Sequence, residues 1–409
     1  MRLKDIEIFC VQPPPPGWGG RYWNFVKLTT DNGISGIGEV YAASVGAEAM
    51  RAVILDVFER HMLGERPERI ELMFRRCYSS GFTQRPDLTL IGAFSGLEMA
   101  CWDIVGKSQD RPVQDFLGGT VNERIRTYSY LYPRADQDAE SFWNDADLAA
   151  ETAAAMVGQG FTAVKFDPAG PYTIFGGHQP SMRDIERSVN FCRRIREAVG
   201  ADADLLFGTH GQFTPAGAIR LGRGLEEFDP LWFEEPVPPD NYEAMAEVAR
   251  SVRIPVATGE RLCTKSEFAA ALRAGAAAII QPALGRAGGI LEGKKIAAVA
   301  EVFQASVAPH LYAGPVEWAA NIQLAATLPN LLLLETIETG GEFHLRLIGN
   351  SIRWEDGYVS APRTPGLGIE FDEELARAHE WNGKGLHLEM QHEPCDYSSE
   401  NRFQGGAPA

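Results

Sequence analysis

The sequence predicts an α/β protein: a (β/α)8 TIM-type barrel with an N-terminal α+β capping domain that the C-terminal segment completes. Two patterns predict this fold. From about residue 124 onward, short apolar runs alternate with amphipathic segments of helical period, and the alternation repeats eight times. The first hundred or so residues instead place strands before helices, which is typical of a separate α+β unit. An open doubly wound sheet shares the alternation, but eight repeats favour a closed barrel.

Residues 1–123 form the predicted capping domain. A strand at about Leu3 to Val11 ends before four prolines at 13–16, which can continue neither a strand ladder nor a helix. The turn Asp31-Asn32-Gly33 then joins two short strands into a hairpin. Helical periodicity follows in three segments, at residues 47–61, 69–77 and 90–107.

Residues 124–350 form the predicted barrel. Its eight predicted strands are residues 126–131, 163–167, 205–208, 232–234, 256–259, 278–281, 306–309 and 332–335. Three of the helices predicted between them span residues 182–199, 215–227 and 290–303. Catalytic groups of such barrels lie at the carboxyl ends of the strands, so polar residues at these ends are the candidates for chemistry.

Residues 351–409 form a C-terminal segment that we expect to pack back on the capping domain. It contains strand-like pieces at 351–354 and 368–371, and its last thirty or so residues have the composition of a poorly specified tail. The histidines of this segment are His379, His387 and His392. Their spacing fits no metal site, so we expect solvated surface histidines.

The composition limits the possible partners. A chain of 409 residues, 45% of them hydrophobic, can bury a large core. Its net charge of -17 repels phosphate backbones and anionic lipid, so we expect no nucleic-acid or membrane partner, and an anionic substrate needs a local cation. The glycine spacing at 285–289 fits no nucleotide-binding loop. Six unpaired cysteines and an N-terminus without an apolar signal core predict a cytoplasmic protein.

Two glutamates, Glu234 and Glu260, each close an apolar run and stand 26 residues apart. If both runs are barrel strands, both carboxylates point into one mouth, where they can bind a hard divalent cation through oxygen. Other polar residues at strand ends are Lys165, Asp167, His210, Gln281, His310 and Glu335. Carboxylates, a lysine and two histidines at one mouth suit metal-assisted abstraction of a proton beside a substrate carboxylate.

Several motifs occur in a fixed order along the chain. They are the helical stretch at 93–107, Glu234-Glu235-Pro236, Glu260, Gly288-Gly289, His310 and Glu335. Together they resemble the mandelate racemase subgroup of the enolase superfamily, and the resemblance covers nearly the whole chain. It implies one Mg²⁺ per subunit, a small-molecule carboxylate (a sugar acid) as substrate, and a homo-oligomer such as a dimer or an octamer.

Three positions depart from the family's pattern. Gly208 stands where the third strand carries an aspartate ligand, and Asp167 stands where many members have the second lysine of a pair that starts at Lys165. Ala283 stands where an aspartate usually orients the histidine matched by His310. We therefore do not expect a racemase that uses one lysine and one histidine as its two bases.

The surviving pair, His210 and His310, is similar to the pair that galactonate and mannonate dehydratases use. One histidine takes the proton α to the carboxylate, and the other protonates the departing β-hydroxyl. The resemblance thus implies a magnesium-dependent carbon-oxygen lyase that converts an aldonic or aldaric acid to a 2-keto-3-deoxy acid, with Lys165 and Glu335 in the catalytic set. An epimerase, racemase or cycloisomerase with the same enediolate is an alternative, and a non-catalytic sugar-acid-binding relative is another.

Asp167 is predicted to replace the missing third-strand ligand. Residues i and i+2 face the same side of a strand, so Lys165 and Asp167 both point toward the mouth, and neighbouring strands lie only about 4.8 Å apart. The predicted magnesium ligands are therefore Glu234, Glu260 and Asp167, with His210 as the competing third ligand.

Residues outside the metal set are predicted to hold the substrate. Trp18 and Arg21, in the early proline-rich loop, are candidates for a lid, although simple surface packing explains them equally well. Gln281 and Tyr312 are the other candidates. Glu235 is expected to form a structural salt bridge, because only one of two adjacent strand residues can face the mouth.

Overall fold

The computed structural model describes residues 1–41, 44–169 and 172–394. Its strands are β1 Leu3–Val11, β2 Trp23–Thr30, β3 Ser35–Val40, β4 Ile125–Tyr130, β5 Ala163–Phe166, β6 Asp204–Gly208, β7 Trp232–Glu234, β8 Val256–Thr258, β9 Ile279–Ile280, β10 Ser306–Val307, β11 Leu334–Thr336, β12 Trp354–Glu355 and β13 Tyr358–Val359. Its helices are α1 Ala47–Val57, α2 Ile70–Ser79, α3 Leu88–Ser108, α4 Ala139–Phe142, α5 Ala146–Gln159, α6 Met182–Val199, α7 Pro215–Leu225, α8 Tyr242–Ser251, α9 Thr264–Ala274, α10 Leu284–Ala287, α11 Gly289–Val302, α12 Pro315–Ala325, α13 Glu342–Leu347 and α14 Glu373–Ala378.

The strands β1, β2 and β3 form an antiparallel sheet in chain order. Gly33, in the predicted turn between β2 and β3, has the left-handed φ of 86° that such a turn requires. β3 packs against α3, where a Cβ on Gly38 would lie 1.8 Å from the Gly96 carbonyl oxygen. By length and composition α3 could cross a membrane, but 78% of its apolar window is buried inside the protein. We therefore identify α3 as a core helix.

The strands β4 to β10 form a parallel sheet in chain order, and β11 returns to pair with β4. On the opposite side, Leu332 N donates to Val307 O at 2.8 Å, and Val307 N donates to Asn330 O at 2.9 Å. These bonds join the run that enters β11 to the seventh strand. The eighth strand is thus bonded to both the first and the seventh, in agreement with the predicted (β/α)8 barrel.

The barrel interior holds one apolar residue from each of its eight strands. They are Tyr128, Ala163, Leu206, Trp232, Ala257, Ile279, Ala308 and Leu333. Because side chains on one face of a strand recur every second residue, the next inward layer falls two residues further toward the carboxyl ends. That layer contains Lys165, Gly208, Glu234, Gln281, His310 and Glu335. The apolar layer therefore supports the candidate site from below.

Buried carboxylates connect the N-terminal unit to the barrel helices. Glu39 in β3 accepts hydrogen bonds from the backbone N–H groups of Gly314, Val316 and Glu317 at the start of α12. Burial, together with the neighbouring Glu317 carboxylate, raises the pKa of Glu39 to about 8. The N–H groups at the N-terminus of α12 partly offset the unfavourable burial of the Glu39 carboxylate. The contact between the two units therefore depends on specific buried acids as well as on apolar packing.

The last part of the described chain returns to both units. β13 pairs with β4, so the hairpin of β12 and β13 extends the barrel sheet. Beyond α14, residues 379–391 run across the molecule, and we call them the C-terminal strap. Trp381 N donates to Cys10 O at 2.8 Å, and Gln391 N donates to Tyr172 O at 2.8 Å. The strap therefore spans from the N-terminal sheet to the loop after the second barrel strand.

The structure corrects the prediction for His387. We expected a solvated histidine, but only 3% of His387 is exposed, and its Nδ1 lies 2.7 Å from Tyr22 O. Gly20 leaves the space for this ring, since a Cβ there would lie 1.9 Å from His387 Cε1. His392 is exposed, as expected. Five cysteines are described with free thiols. Cys395 and about half of the predicted tail, residues 395–409, lie outside the described residues.

Candidate active site

Lys165 lies at the centre of a buried network of polar side chains. Its Nζ is 2.6 Å from Glu234 Oε1 and 3.6 Å from Glu335 Oε1. Gln281 Nε2 donates to the other oxygen of Glu234 at 2.8 Å. Burial disfavours the charge on Lys165, but the carboxylates of Glu234, Glu335 and Glu260 outweigh burial and raise its pKa. Lys165 is therefore held as a cation rather than prepared to act as a base.

His310 lies between two carboxylates. Its Nδ1 is 2.9 Å from Glu335 Oε2 and 3.3 Å from Glu260 Oε2. Burial opposes its protonated form, but Glu335 and Glu260 outweigh burial and raise the pKa of His310. Burial alone would raise the pKa of Glu335, yet Lys165 and His310 lower it to about 2. Glu335 is therefore a permanent carboxylate that can orient His310, as Ala283 cannot.

His210 is paired with Asp167. The two residues lie at the ends of neighbouring strands, and His210 Nδ1 is 2.6 Å from Asp167 Oδ2. Burial opposes the charge on His210, but the bond to Asp167 and the charge of Glu260 outweigh it and raise its pKa to about 8. Burial raises the pKa of Asp167 as well. The site thus contains two histidine and carboxylate pairs, His310 with Glu335 and His210 with Asp167.

Glu235 turns away from this network and makes the expected salt bridge. Arg261 Nη2 lies 2.5 Å from Glu235 Oε2, and Arg261 Nε donates to the same oxygen at 2.8 Å. Glu235 has a left-handed φ of 39° and His210 one of 46°. Gly211 N donates to Glu235 O at 2.6 Å, and this bond links the two backbone segments that carry these left-handed residues. Such strained backbone positions concentrate at functional sites, where surrounding contacts hold them in place.

A cavity of about 70 Å³ lies above the network. Six predicted site residues line it: Lys165, His210, Glu260, His310, Tyr312 and Glu335. Five further lining residues were not predicted: Tyr41, Tyr130, Tyr132, Arg286 and Leu388. Tyr130 ends the first barrel strand, so the strand-end rule could have found it. Tyr41 follows β3 and Leu388 belongs to the strap, and no local pattern in the sequence marks either residue.

The other predicted substrate contacts lie around the cavity rather than on its wall. Trp18 stacks on Tyr132 with ring centroids 4.4 Å apart, so it packs behind a lining residue. Arg21 Nη1 lies 3.1 Å from Glu389 Oε2 in the strap. Gln281 lies beneath, bonded to Glu234. In the described chain, the early loop therefore contacts the cavity walls and the strap.

The donor set of this site suits Mg²⁺. Gly208 pairs with Glu234, and a Cβ at Gly208 would lie 3.2 Å from Asp167 Oδ2, so the Asp167 carboxylate lies close to the place of a third-strand side chain. Glu260 Oε2 is buried without a hydrogen-bond partner, as a ligand oxygen would be. Within the described ranges, no three ligand-type side chains already converge. Lys165 and Gln281 engage both oxygens of Glu234, so cation binding requires these contacts to be exchanged.

Two family descriptions match the chain. "Mandelate racemase / muconate lactonizing enzyme, N-terminal domain" matches residues 21–118, and "Enolase C-terminal domain-like" matches residues 147–375. A D-gluconate/D-galactonate dehydratase of Picrophilus torridus is 33% identical over 91% of this chain and 93% of that protein. A D-xylonate dehydratase of Haloferax volcanii is 31% identical over 94% of this chain and 91% of that protein.

A solved structure is more similar still. It is described as a mandelate racemase/muconate lactonizing enzyme-like protein from Roseovarius sp. TM1035. Its sequence is 68% identical, and the TM-score is 0.96 over 97% of this chain and 100% of that chain. The likeness therefore extends across the N-terminal unit, the barrel and most of the C-terminal segment.

Proposed function

The chain belongs to the mandelate racemase and muconate lactonizing enzyme family of the enolase superfamily, and we propose that it is a magnesium-dependent dehydratase of sugar acids. The relatives named above are dehydratases of D-gluconate, D-galactonate and D-xylonate. We infer a carbon-oxygen lyase that removes water from a sugar acid to give a 2-keto-3-deoxy acid. The proposed enzyme is cytoplasmic and homo-oligomeric.

The observation that carries this proposal is the presence of two separate histidine and carboxylate pairs on one cavity. His310 and Glu335 both line the cavity, and of the second pair His210 lines it, with Asp167 bonded behind it. Dehydration needs a base for the α-proton and an acid for the departing hydroxyl, and two independently tuned groups meet that need. Lys165 is ion-paired on two sides, which argues against its use as the second base of a racemase.

Glu234, Glu260 and Asp167 are the proposed ligands of Mg²⁺, which would stabilise negative charge on the substrate carboxylate as the α-proton leaves. His310, oriented by Glu335, accepts the α-proton in its neutral form. A cation held by Glu260 would offset part of the negative charge that raises the pKa of His310. His210 donates a proton to the β-hydroxyl, which departs as water. The pKa of about 8 suits this donor role, because it leaves His210 protonated at neutral pH.

The balance of the reaction is simple. The α C–H and β C–O bonds break, the enol that remains tautomerises to the 2-keto acid, and one water is released. Lys165 keeps positive charge at the base of the site throughout. Three tyrosines of the lining, Tyr130, Tyr132 and Tyr312, supply phenol hydroxyls for the polyol part of the substrate.

Incubation with a panel of aldonic and aldaric acids in deuterated water tests the proposal. We expect a 2-keto-3-deoxy product by NMR, loss of turnover on chelation, and recovery with added Mg²⁺. Deuterium incorporation into recovered substrate without dehydration would instead identify an epimerase or racemase. The absence of turnover and of magnesium binding by calorimetry would identify a non-catalytic binder.

A further inference from the structure

Arg286 is a buried cation that the catalytic scheme above does not use. It belongs to the short helix α10, lines the cavity, and is only 7% exposed. Its Nη1 donates to the backbone carbonyl of Glu260 at 2.9 Å. Its guanidinium lies 3.7 Å from the centroid of the Tyr41 ring. Its Nε is buried with no hydrogen-bond partner.

The charge of Arg286 lacks a counterion. Arg261, a partly buried arginine of the same site, has the carboxylate of Glu235 at 2.5 Å. Across the part of the chain that the structure describes, no carboxylate oxygen lies within ion-pair distance of Arg286. Burial raises the pKa of Glu317 to about 7 and outweighs the charge of Arg286, which lowers that pKa. Glu317 is therefore a weak counterion for Arg286. A buried charge without a counterion is unfavourable, so a ligand that brings an anion is favoured at this position.

Arg286 lies on the side of the cavity that the N-terminal unit covers. Tyr41 comes directly after β3, and its hydroxyl is buried without a hydrogen-bond partner. Arg286 contacts the Glu260 carbonyl and the Tyr41 ring on this side of the cavity. Two unsatisfied donors, the Arg286 Nε–H and the Tyr41 O–H, therefore lie together there.

We propose that Arg286 and Tyr41 bind a second carboxylate at the far end of the substrate, so the preferred substrate is an aldaric acid rather than an aldonic acid. This inference rests on the proposed dehydratase function. A planar guanidinium with a free N–H edge suits a carboxylate, and the Tyr41 hydroxyl adds a further donor. An aldonic acid places a neutral terminal hydroxyl there and leaves the charge of Arg286 uncompensated.

A matched pair of ligands tests the inference. Galactarate and D-galactonate differ only in whether carbon 6 is a carboxylate or a hydroxymethyl group. In calorimetry with Mg²⁺ present, the wild-type protein should bind galactarate more tightly. The variant Arg286→Gln should lose roughly 10- to 100-fold of that affinity while its affinity for galactonate changes little, as expected for one charge-assisted hydrogen bond.

Two further variants separate binding from structure. Arg286→Lys should recover part of the preference, and Tyr41→Phe, which keeps the ring beneath the guanidinium, should reduce it more weakly. Equal losses for both ligands in Arg286→Gln would show that Arg286 only fixes the Glu260 backbone, and would overturn the inference. Because binding is measured directly, the preference can be seen even if no acid is dehydrated. Turnover of galactonate alone would overturn the inference and leave the proposed function intact.

Discussion

The Asp167 carboxylate lies against the Cα position of Gly208, where a Cβ would be 3.2 Å from Asp167 Oδ2. The two residues end neighbouring strands, and Gly208 in turn pairs with Glu234. The space that a third-strand ligand would need is therefore filled by a carboxylate from the second strand. This arrangement explains how the chain could supply three acidic oxygen ligands although its third barrel strand ends in glycine.

Exchanging the carboxylate between these two strands tests that explanation. Asp167→Ala should weaken Mg²⁺ binding by at least about tenfold, because one charged oxygen ligand is lost. The double variant Asp167→Ala with Gly208→Asp should recover much of the affinity, since the carboxylate returns to the third strand. Gly208→Asp alone should bind poorly, because two carboxylates would compete for one space. Calorimetric titration with Mg²⁺ measures all three, and unchanged affinity in Asp167→Ala would refute Asp167 as a ligand.

His310→Asn should abolish both α-proton exchange and dehydration. Removal of a general base costs roughly 10² to 10⁴ in rate. His210→Asn should retain exchange of the α-proton but lose dehydration, because only the acid for the hydroxyl is removed. Exchange of solvent deuterium by NMR separates the two steps. Dehydration that persists in His310→Asn would contradict the assignment of His310 as the base.

Glu235 should contribute to stability through Arg261. Glu235→Ala removes the nearest carboxylate from the partly exposed Arg261 guanidinium, so we expect a loss of about 1–3 kcal/mol in the free energy of unfolding. The double variant Glu235→Leu with Arg261→Met should recover a large part of that loss, since neither charge remains. Urea denaturation monitored by circular dichroism measures both. Equal stabilities of wild type and Glu235→Ala would contradict the pairing.

Glu98 should make stability depend on pH. Burial raises its pKa from 4.5 to about 7, although Leu291 and Ile290 donate backbone hydrogen bonds to it. The free energy of unfolding of wild type should exceed that of Glu98→Gln by its full amount below about pH 4.5. This difference should disappear as pH rises through about 7. As pH rises, Glu98 loses its proton in the unfolded chain before it does so in the folded protein. Each pH unit between the two pKa values therefore lowers the free energy of unfolding by about 1.4 kcal/mol. Urea melts of both proteins from pH 4.5 to 8 provide the measurement; parallel curves would exclude the effect.

Leu388 should contribute to substrate affinity through apolar contact. It is the strap residue that reaches the cavity lining. Leu388→Ala should lower kcat/KM by about tenfold, mainly through KM, because apolar contact with the substrate is lost while the acid and base are unchanged. Lys384→Ala, at an exposed position of the same strap, is the matched control. A fall in kcat alone for Leu388→Ala would point to misplaced catalytic groups instead.

The strand ends of the barrel were the part of the site that the sequence could predict. Two-residue periodicity places Lys165, Glu234 and His310 on one face of their strands, and the apolar runs mark where each strand ends. Such local rules need no knowledge of distant contacts. Asp167 was found by the same reasoning, but its close pairing with His210 was not, because the left-handed bend at His210 is not encoded in a simple pattern.

The upper half of the cavity could not be predicted in this way. Tyr41 and Leu388 approach from the N-terminal unit and from the strap, so their positions depend on how these segments pack on the barrel. His387 shows the same dependence on distant contacts. Its hydrogen-bond partner Tyr22 lies 365 residues away in sequence, and Gly20 leaves room for the imidazole ring. The sequence around Arg286 does not predict its role, because a missing counterion cannot be recognised before the fold is known.

The C-terminal strap also sets an order for assembly of the protein during synthesis. Translation proceeds from the amino end, so the N-terminal unit and the barrel strands emerge before residues 379–391. A nascent chain can therefore complete the lower, charged half of the site while the upper side of the cavity still lacks Leu388. The upper side of the cavity is therefore completed last, when the strap joins the sheet at Cys10 and the loop at Tyr172.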